Sequence, residues 1–264
     1  MKQRIVSMLP PDSLWREYVH YFDTIDSTNT YAKALARQGA PHGTCVLAGS
    51  QSAGRGRMGR SFHSPAGTGI YMSVILRPNC RPQELMHLTC AVGTAMCDAV
   101  EAVCAIRPGI KWINDLVLQQ RKIGGILTEL GFTTDGSVDY AIVGIGINCN
   151  QLSQDFPKEL HAIAASLRMV TGQSIDTAAL AAAMLTELEK MSRDLLRAKQ
   201  DIMNRYRHDC ITLGKEVTLH GQLTGSAFAV SVDDDGGLIV RMDSGALRTI
   251  QSGEVSVRGL YTYV

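Results

Sequence analysis

The chain predicts an α+β fold: a mixed, largely antiparallel sheet flanked by helices, followed by a small β-barrel. Three observations predict it. Residues 110–147 divide into four short β-rich stretches separated by turn residues, as consecutive antiparallel strands do. Stretches 82–106 and 177–206 carry apolar residues at helical spacing. After about Leu213 the composition shifts to five short β segments within about fifty residues, the size of a small closed barrel.

Taken in order, Tyr21 to Ile25 reads as a short strand. Asp26-Ser27-Thr28-Asn29 then offers several N-cap side chains ahead of a short helix, Tyr31 to Arg37, which Gly39 closes. Thr44 to Ser50 and Gly69 to Leu76 are strands, the second stopped by Pro78. Pro82 suits the first turn of one long helix to Ile106. The four β stretches are Ile110 to Ile113, Asp115 to Leu118, Lys122 to Leu130 and Tyr140 to Ile147. Ala162 to Met169 reads as a shorter helix, and Thr177 to Tyr206 as a long amphipathic one, broken near Lys199. The closing segments are Val217 to His220, Ser226 to Val232, Leu238 to Met242, Ala246 to Ile250 and Val255 to Val257. Turns at 233–237 and 243–245 join three of them. The chain therefore divides into a larger unit, 1–212, and a smaller one, 213–264.

Composition narrows the possibilities. With 264 residues, 45% of them hydrophobic, the chain can bury one large core and a satellite. A net charge of +1 argues against general nucleic-acid binding. No run approaches the roughly 20 apolar residues of a membrane span. Seven cysteines without a leader peptide point to a reducing cytoplasm. Cys90, Cys97 and Cys104 recur on roughly one helix face, and small buried hydrophobes account for them better than zinc does. No metal site is assigned.

The segment Gly54-Arg55-Gly56-Arg57-Met58-Gly59-Arg60 stands apart. Glycine keeps its backbone mobile, and three arginines repel one another until an anion arrives. A loop that orders around phosphate follows, since guanidinium binds phosphate through a planar fork of charge-assisted bonds. The segment fits both the dinucleotide fingerprint and, with Arg60 in place of Lys, the phosphate loop of nucleotide triphosphatases. Both motifs require a helix to begin at once. Pro65, Gly67 and Gly69 forbid one, so phosphate contacts must come from arginine side chains and loop amides. A solvated basic loop is the plainer alternative.

Five segments in order resemble the biotin protein ligases: 26–29, 49–60, Lys111-Trp112-Ile113-Asn114-Asp115-Leu116, Lys122-Ile123-Gly124-Gly125-Ile126-Leu127 and Val143-Gly144-Ile145-Gly146-Ile147-Asn148. Each is weak alone; together they are specific. The resemblance runs from about residue 20 onward. It implies a class II synthetase-like catalytic core and an SH3-like C-terminal barrel. It also implies two reactions: biotin and ATP, with Mg²⁺, give biotinyl-5′-AMP, and biotin then passes to one lysine of a biotin carboxyl carrier domain. The enzyme would be a biotin–[acetyl-CoA-carboxylase] ligase, monomer or homodimer. About twenty residues precede the first strand, too few for the DNA-binding domain some members carry.

The resemblance also distributes roles. Lys111, Arg55 and Asp115 would be catalytic. Ser27, Thr28, Asn29, Gln51, Gly54, Arg55, Arg57, Lys111, Gly124 and Gly125 would hold biotin. Arg55, Arg57, Arg60, Trp112, Asn114 and Asn148 would hold the nucleotide, and Phe156 is the nearby candidate for stacking on adenine. Plainer readings stand beside these. Ser27 and Thr28 cap a helix, Lys111 snorkels over Trp112, Gly124-Gly125 marks a β-bulge, and Asn114, Asp115 and Asn148 are turn residues. The competing functions are a lipoate or octanoate ligase-like acyltransferase and a non-catalytic nucleotide-binding module.

Overall fold

In the computed structural model, residues 1–221 and 223–251 are described in full, and 255–259 as backbone. A seven-stranded sheet forms the centre, with helices on both faces. In chain order the elements are α1 (Lys2–Met8), β1 (Val19–Phe22), α2 (Thr28–Arg37), β2 (Cys45–Ala48), β3 (Gly69–Leu76), α3 (Leu88–Cys104) and β4 (Gly109–Lys111). Next come β5 (Asp115–Leu118), β6 (Arg121–Phe132), β7 (Val138–Asn148), α4 (Leu167–Thr171), α5 (Thr177–Asp194) and α6 (Lys199–Asp209). A second sheet follows: β8 (Glu216–Gly221), β9 (Gly225–Val232), β10 (Leu238–Met242), β11 (Leu247–Ile250) and β12 (Val255–Gly259).

The large sheet runs β1-β2-β3-β7-β6-β5-β4. Only β1 and β2 pair in parallel; every other neighbour is antiparallel. The small sheet runs β11-β10-β9-β8-β12, antiparallel throughout. Strand alternation sorts the faces. Met72, Val74 and Leu76 of β3 join the main core with α3 and α5, while Ile75 packs with Ala32 and Ala36 of α2. Ser73 points to the α2 face as well, which becomes important at the site.

Several boundaries differ from those the sequence predicts, and each has a local cause. The first strand spans Val19–Phe22 rather than reaching Ile25. The segment from Pro82 opens as a 3₁₀ turn, Pro82–Leu85, and the α-helix begins only at Leu88. His87 intervenes, its Nε2 within 2.8 Å of the Leu195 carbonyl. That helix ends at Cys104 because Ala105 turns left-handed, with φ 54°. Residues 162–166 are not helical. Lys122 N donates to Ile163 O (2.8 Å) and Ala165 N to Lys122 O (2.9 Å), so this stretch lies extended beside β6. Helix α4 starts only after Ser166, whose hydroxyl accepts from Met169 N. The break in the long helix falls at 195–198, just ahead of Lys199.

All seven cysteines are free thiols, and six of them are buried. Burial pushes the Cys45, Cys90, Cys97 and Cys149 thiols upward, which keeps them protonated and inert. Among the described residues no helix is long and apolar enough to cross a membrane.

Arg107 ties the helical layer to the C-terminal half. Its Nε and Nη2 donate to the two oxygens of Asp209 (2.8 and 2.6 Å), and Nη1 reaches Asp98 and Glu101 (2.9 and 2.7 Å). The Asp209 side chain is only 3% exposed. Arg107→Met strands that carboxylate and should cost about 3 kcal/mol of stability. Urea denaturation measures it, and a loss below about 1 kcal/mol would show that Asp209 regains water.

Candidate active site

The site is built on the α2 face of the large sheet, where four segments converge. Ser27 caps α2, its hydroxyl accepting from Thr30 N at 3.5 Å. Thr28 N and Oγ1 both donate to Gln51 Oε1 (2.9 and 3.1 Å), and Gln51 Nε2 donates to Ser64 Oγ (2.9 Å). Ser73, on β3, reaches Thr28 Oγ1 (2.8 Å) and Asn29 Oδ1 (2.6 Å). A continuous polar network therefore fixes the helix N-terminus against the sheet before any ligand arrives.

The arginine-glycine segment folds back on itself. Gly56 N donates to Arg60 O (2.7 Å) and Phe62 N to Gly54 O (2.9 Å), and Arg55 bridges Ser61. Met58 and Gly59 turn the tip with φ 54° and 73°. No α-helix follows, as the sequence requires. The hairpin lies down on the cleft. Arg55 Nη1 meets Glu129 Oε2 at 3.2 Å, and Arg57 Nη1 donates to Asn114 Oδ1 at 2.7 Å. Asn114 Nδ2 in turn donates to the Ile126 carbonyl (3.0 Å).

Lys122 also lines the cleft, and its Nζ lies 2.6 Å from Asp115 Oδ1. Its backbone is clamped by residues 163–165, which aims the side chain along β6. Gly125 makes room for it, because a methyl there would sit 3.1 Å from Lys122 Nζ. The close approach at Gly125 thus involves this lysine. Phe62 completes the lid, its ring lying on Gly146.

The cleft is open to solvent, and the free space within it is about 50 Å³. Pockets for small molecules usually span about 300–1,000 Å³, so the lid must lift to admit one. The cleft brings together Ser27, Thr28, Asn29, Gln51, Arg55, Arg57, Asn114 and Gly125 of the residues singled out from the sequence. It adds Phe62, Lys122, Ile126, Leu127, Ile145 and Gly146. Gly54, Arg60, Lys111, Trp112, Gly124 and Asn148 lie outside its lining, and Asp115 reaches it through Lys122. Lys111 is buried. Trp112 Nε1 donates to Gly236 O at 2.9 Å, away from the opening. Asn148 Nδ2 donates to Ala165 O (3.1 Å), which braces the segment beside Lys122. Phe156 is buried, with its ring 6.3 Å from that of His63.

Glu129 is the missed acid. Burial pushes its carboxyl up, but the Asn29 hydrogen bond and the Arg55 and Lys33 charges outweigh burial and hold it below its ordinary value. Desolvation lowers the Arg57 pKa, but from so high a start that the guanidinium stays charged. Among the described residues no three His, Cys, Asp or Glu side chains gather as a metal cage.

The profile described as the biotin/lipoate A/B protein ligase family matches residues 21–148, and that of the biotin protein ligase C terminal domain matches 212–258. The bifunctional ligase/repressor BirA of Bacillus spizizenii is 38% identical over 91% of this chain and 74% of its own length. The biotin–[acetyl-CoA-carboxylase] ligase of Mycobacterium tuberculosis is 31% identical over 87% and 85%. A biotin protein ligase from Aquifex aeolicus, solved with biotin and ATP, superposes with a TM-score of 0.78 at 30% identity, covering 92% of this chain and 99% of that one. The chain belongs to the biotin protein ligase family.

Glu129→Gln tests the lid contact. A carboxyl held low in the folded state stabilises above its unfolded pKa of about 4.3, and that contribution is lost as pH falls through the folded value. The stability gap between wild type and variant should therefore be largest near neutrality and shrink on acidification below about pH 5. Paired urea titrations read the gap; a gap constant from neutrality to about pH 3 would show Glu129 to be electrostatically idle.

Proposed function

We propose that the chain activates biotin with ATP and then passes the biotinyl group to a lysine ε-amine of a biotin carboxyl carrier domain, as a biotin–[acetyl-CoA-carboxylase] ligase. The supporting observation is that Arg55, Arg57 and Lys122 line one cleft, with Arg57 on Asn114 and Lys122 on the neighbouring Asp115. The first step brings a carboxylate to an anionic α-phosphate. A carboxylate oxygen bonds to phosphorus as the bond to pyrophosphate breaks, and charge building on the phosphoryl oxygens must be offset.

Lys122 and Arg57 supply that offset from two sides in this reading. The ammonium role that the sequence resemblance gives Lys111 passes to Lys122, because Lys122 is the lysine that lines the cleft. Leu127 beside Gly144 and Gly146, which leave the sheet surface bare, suits an apolar bicycle, and Ser27, Thr28, Asn29 and Gln51 suit its polar ureido edge. Closing the arginine hairpin and Phe62 over the product excludes water from a hydrolysable mixed anhydride. In the second step an amine attacks the acyl carbon and AMP leaves. The amine must shed a proton near neutrality against a free pKa of about 10.4. In this reading Asp115, paired with Lys122, is the carboxylate that orients it.

Mg²⁺ commonly keeps several waters and binds through substrate phosphates, so it would enter on the triphosphate and neutralise phosphate charge. Buried free thiols suit a reducing cytoplasm. The division into units 1–212 and 213–264 belongs to the same proposal.

Pyrophosphate release with biotin and ATP, and none with lipoate, is the expected result; release with lipoate alone would overturn the assignment. In single-turnover assays Lys122→Ala should slow adenylate formation on the order of 10²-fold. A larger loss from Lys111→Ala than from Lys122→Ala would return the role to Lys111. Arg57→Ala should speed loss of bound adenylate at least about tenfold, and an unchanged rate would refute the hairpin's role.

A further inference from the structure

We infer that the β9–β10 turn of the C-terminal sheet is a positioning element for the catalytic segment 111–114, acting through the Trp112 indole. This deepens the function proposed above and rests on it.

The segment 111–114 has two sides. On the cleft side Asn114 holds Arg57 and the Ile126 carbonyl. On the other side it is gripped by elements that come much later in the chain. Trp112 N donates to Thr212 Oγ1 (2.9 Å), Tyr206 Oη donates to Ile113 O (3.2 Å), and Trp112 Nε1 donates to Gly236 O (2.9 Å). All three contacts are buried, so a misplaced partner leaves a polar group without water.

The turn is itself rigid. Asp233 Oδ1 accepts from Asp235 N (2.9 Å) and Gly237 N (2.7 Å). Lys199 Nζ meets Asp235 Oδ1 at 2.6 Å, while Arg207 donates to Val232 O (2.6 Å) and to Asp234. Helix α6 therefore staples the incoming end of the turn and the residues just before its apex. At its apex Gly236 adopts φ +86°, and a methyl there would fall 3.1 Å from Cys90 Sγ and 3.4 Å from Ile113 Cδ1. The turn thus faces the catalytic segment closely enough that a side chain at its apex would press on Ile113, in addition to holding it by a hydrogen bond. Its carbonyl fixes the indole, the indole fixes the backbone of 112–113, and that backbone sets where Asn114 presents its amide to Arg57. Small displacements in such a chain are costly, since misplacing a reacting group by about 1 Å can cost on the order of 10² in rate.

Trp112→Phe removes the indole N–H and keeps most of the ring. Gly236→Ala pushes the turn away without touching the cleft. Each full-length variant is loaded with biotin and ATP, and loss of bound adenylate is followed as a first-order decay, which does not depend on the fraction folded. Biotin binding alone is measured by calorimetry. Loss of one buried hydrogen bond should speed adenylate loss about three- to tenfold in both variants and raise the KM for ATP. Biotin affinity should stay within about twofold, because Ser27, Thr28 and Gln51 are held by β3 and α2 rather than by the turn. Wild-type decay in both variants would overturn the inference while leaving the proposed function intact. Faster decay in Trp112→Phe alone would also overturn it, by showing that the indole acts on the nucleotide directly. A wild-type protein that forms no adenylate would refute the function itself.

Discussion

The site depends on holding three cationic side chains around one small cleft without letting them drive it open. Arg55, Arg57 and Lys122 repel one another across it, the more so where ligand binding displaces water. Glu129 answers Arg55, Asp115 answers Lys122, and the Asn114 carbonyl oxygen receives Arg57. Each partner sits on the sheet or at its margin, so the acids are fixed and the arginine hairpin adapts to them. Anionic phosphates would compete for the same cations, exchanging internal partners for the ligand's oxygens at little electrostatic cost.

The fold was largely legible because its strands are short, β-branched and punctuated by turn residues. The strand Gly69–Leu76 is legible to the residue, since a run rich in Ile, Tyr and Val lies between Gly69 and Pro78. Helix ends were less legible. The extended run at 163–165 has helix-forming alanines, and only pairing with Lys122 keeps it straight. The seven-residue helix α1 buries Ile5 alone, too little periodicity to declare itself.

Part of the site was legible through its arginines and its helix cap. Lys122 was not, because a lysine that opens a strand reads as a solvated edge. Its approach to Asp115 requires the β5–β6 register and the irregularity between Leu116 and Val117, neither of which is written locally. Glu129 escaped for a similar reason. It lies in the middle of a strand, and its partners Asn29, Lys33 and Arg55 are distant in sequence.

One hydrophobic cluster runs without a break from Met96 of α3 and Leu185 of α5 into Val217, Ala229, Leu238 and Val240 of the small sheet. The C-terminal strands are therefore not a detachable accessory. A chimaera that borrowed them from a relative would have to import the facing residues of α3 and α6 too, so these two parts of the gene are expected to diverge in step.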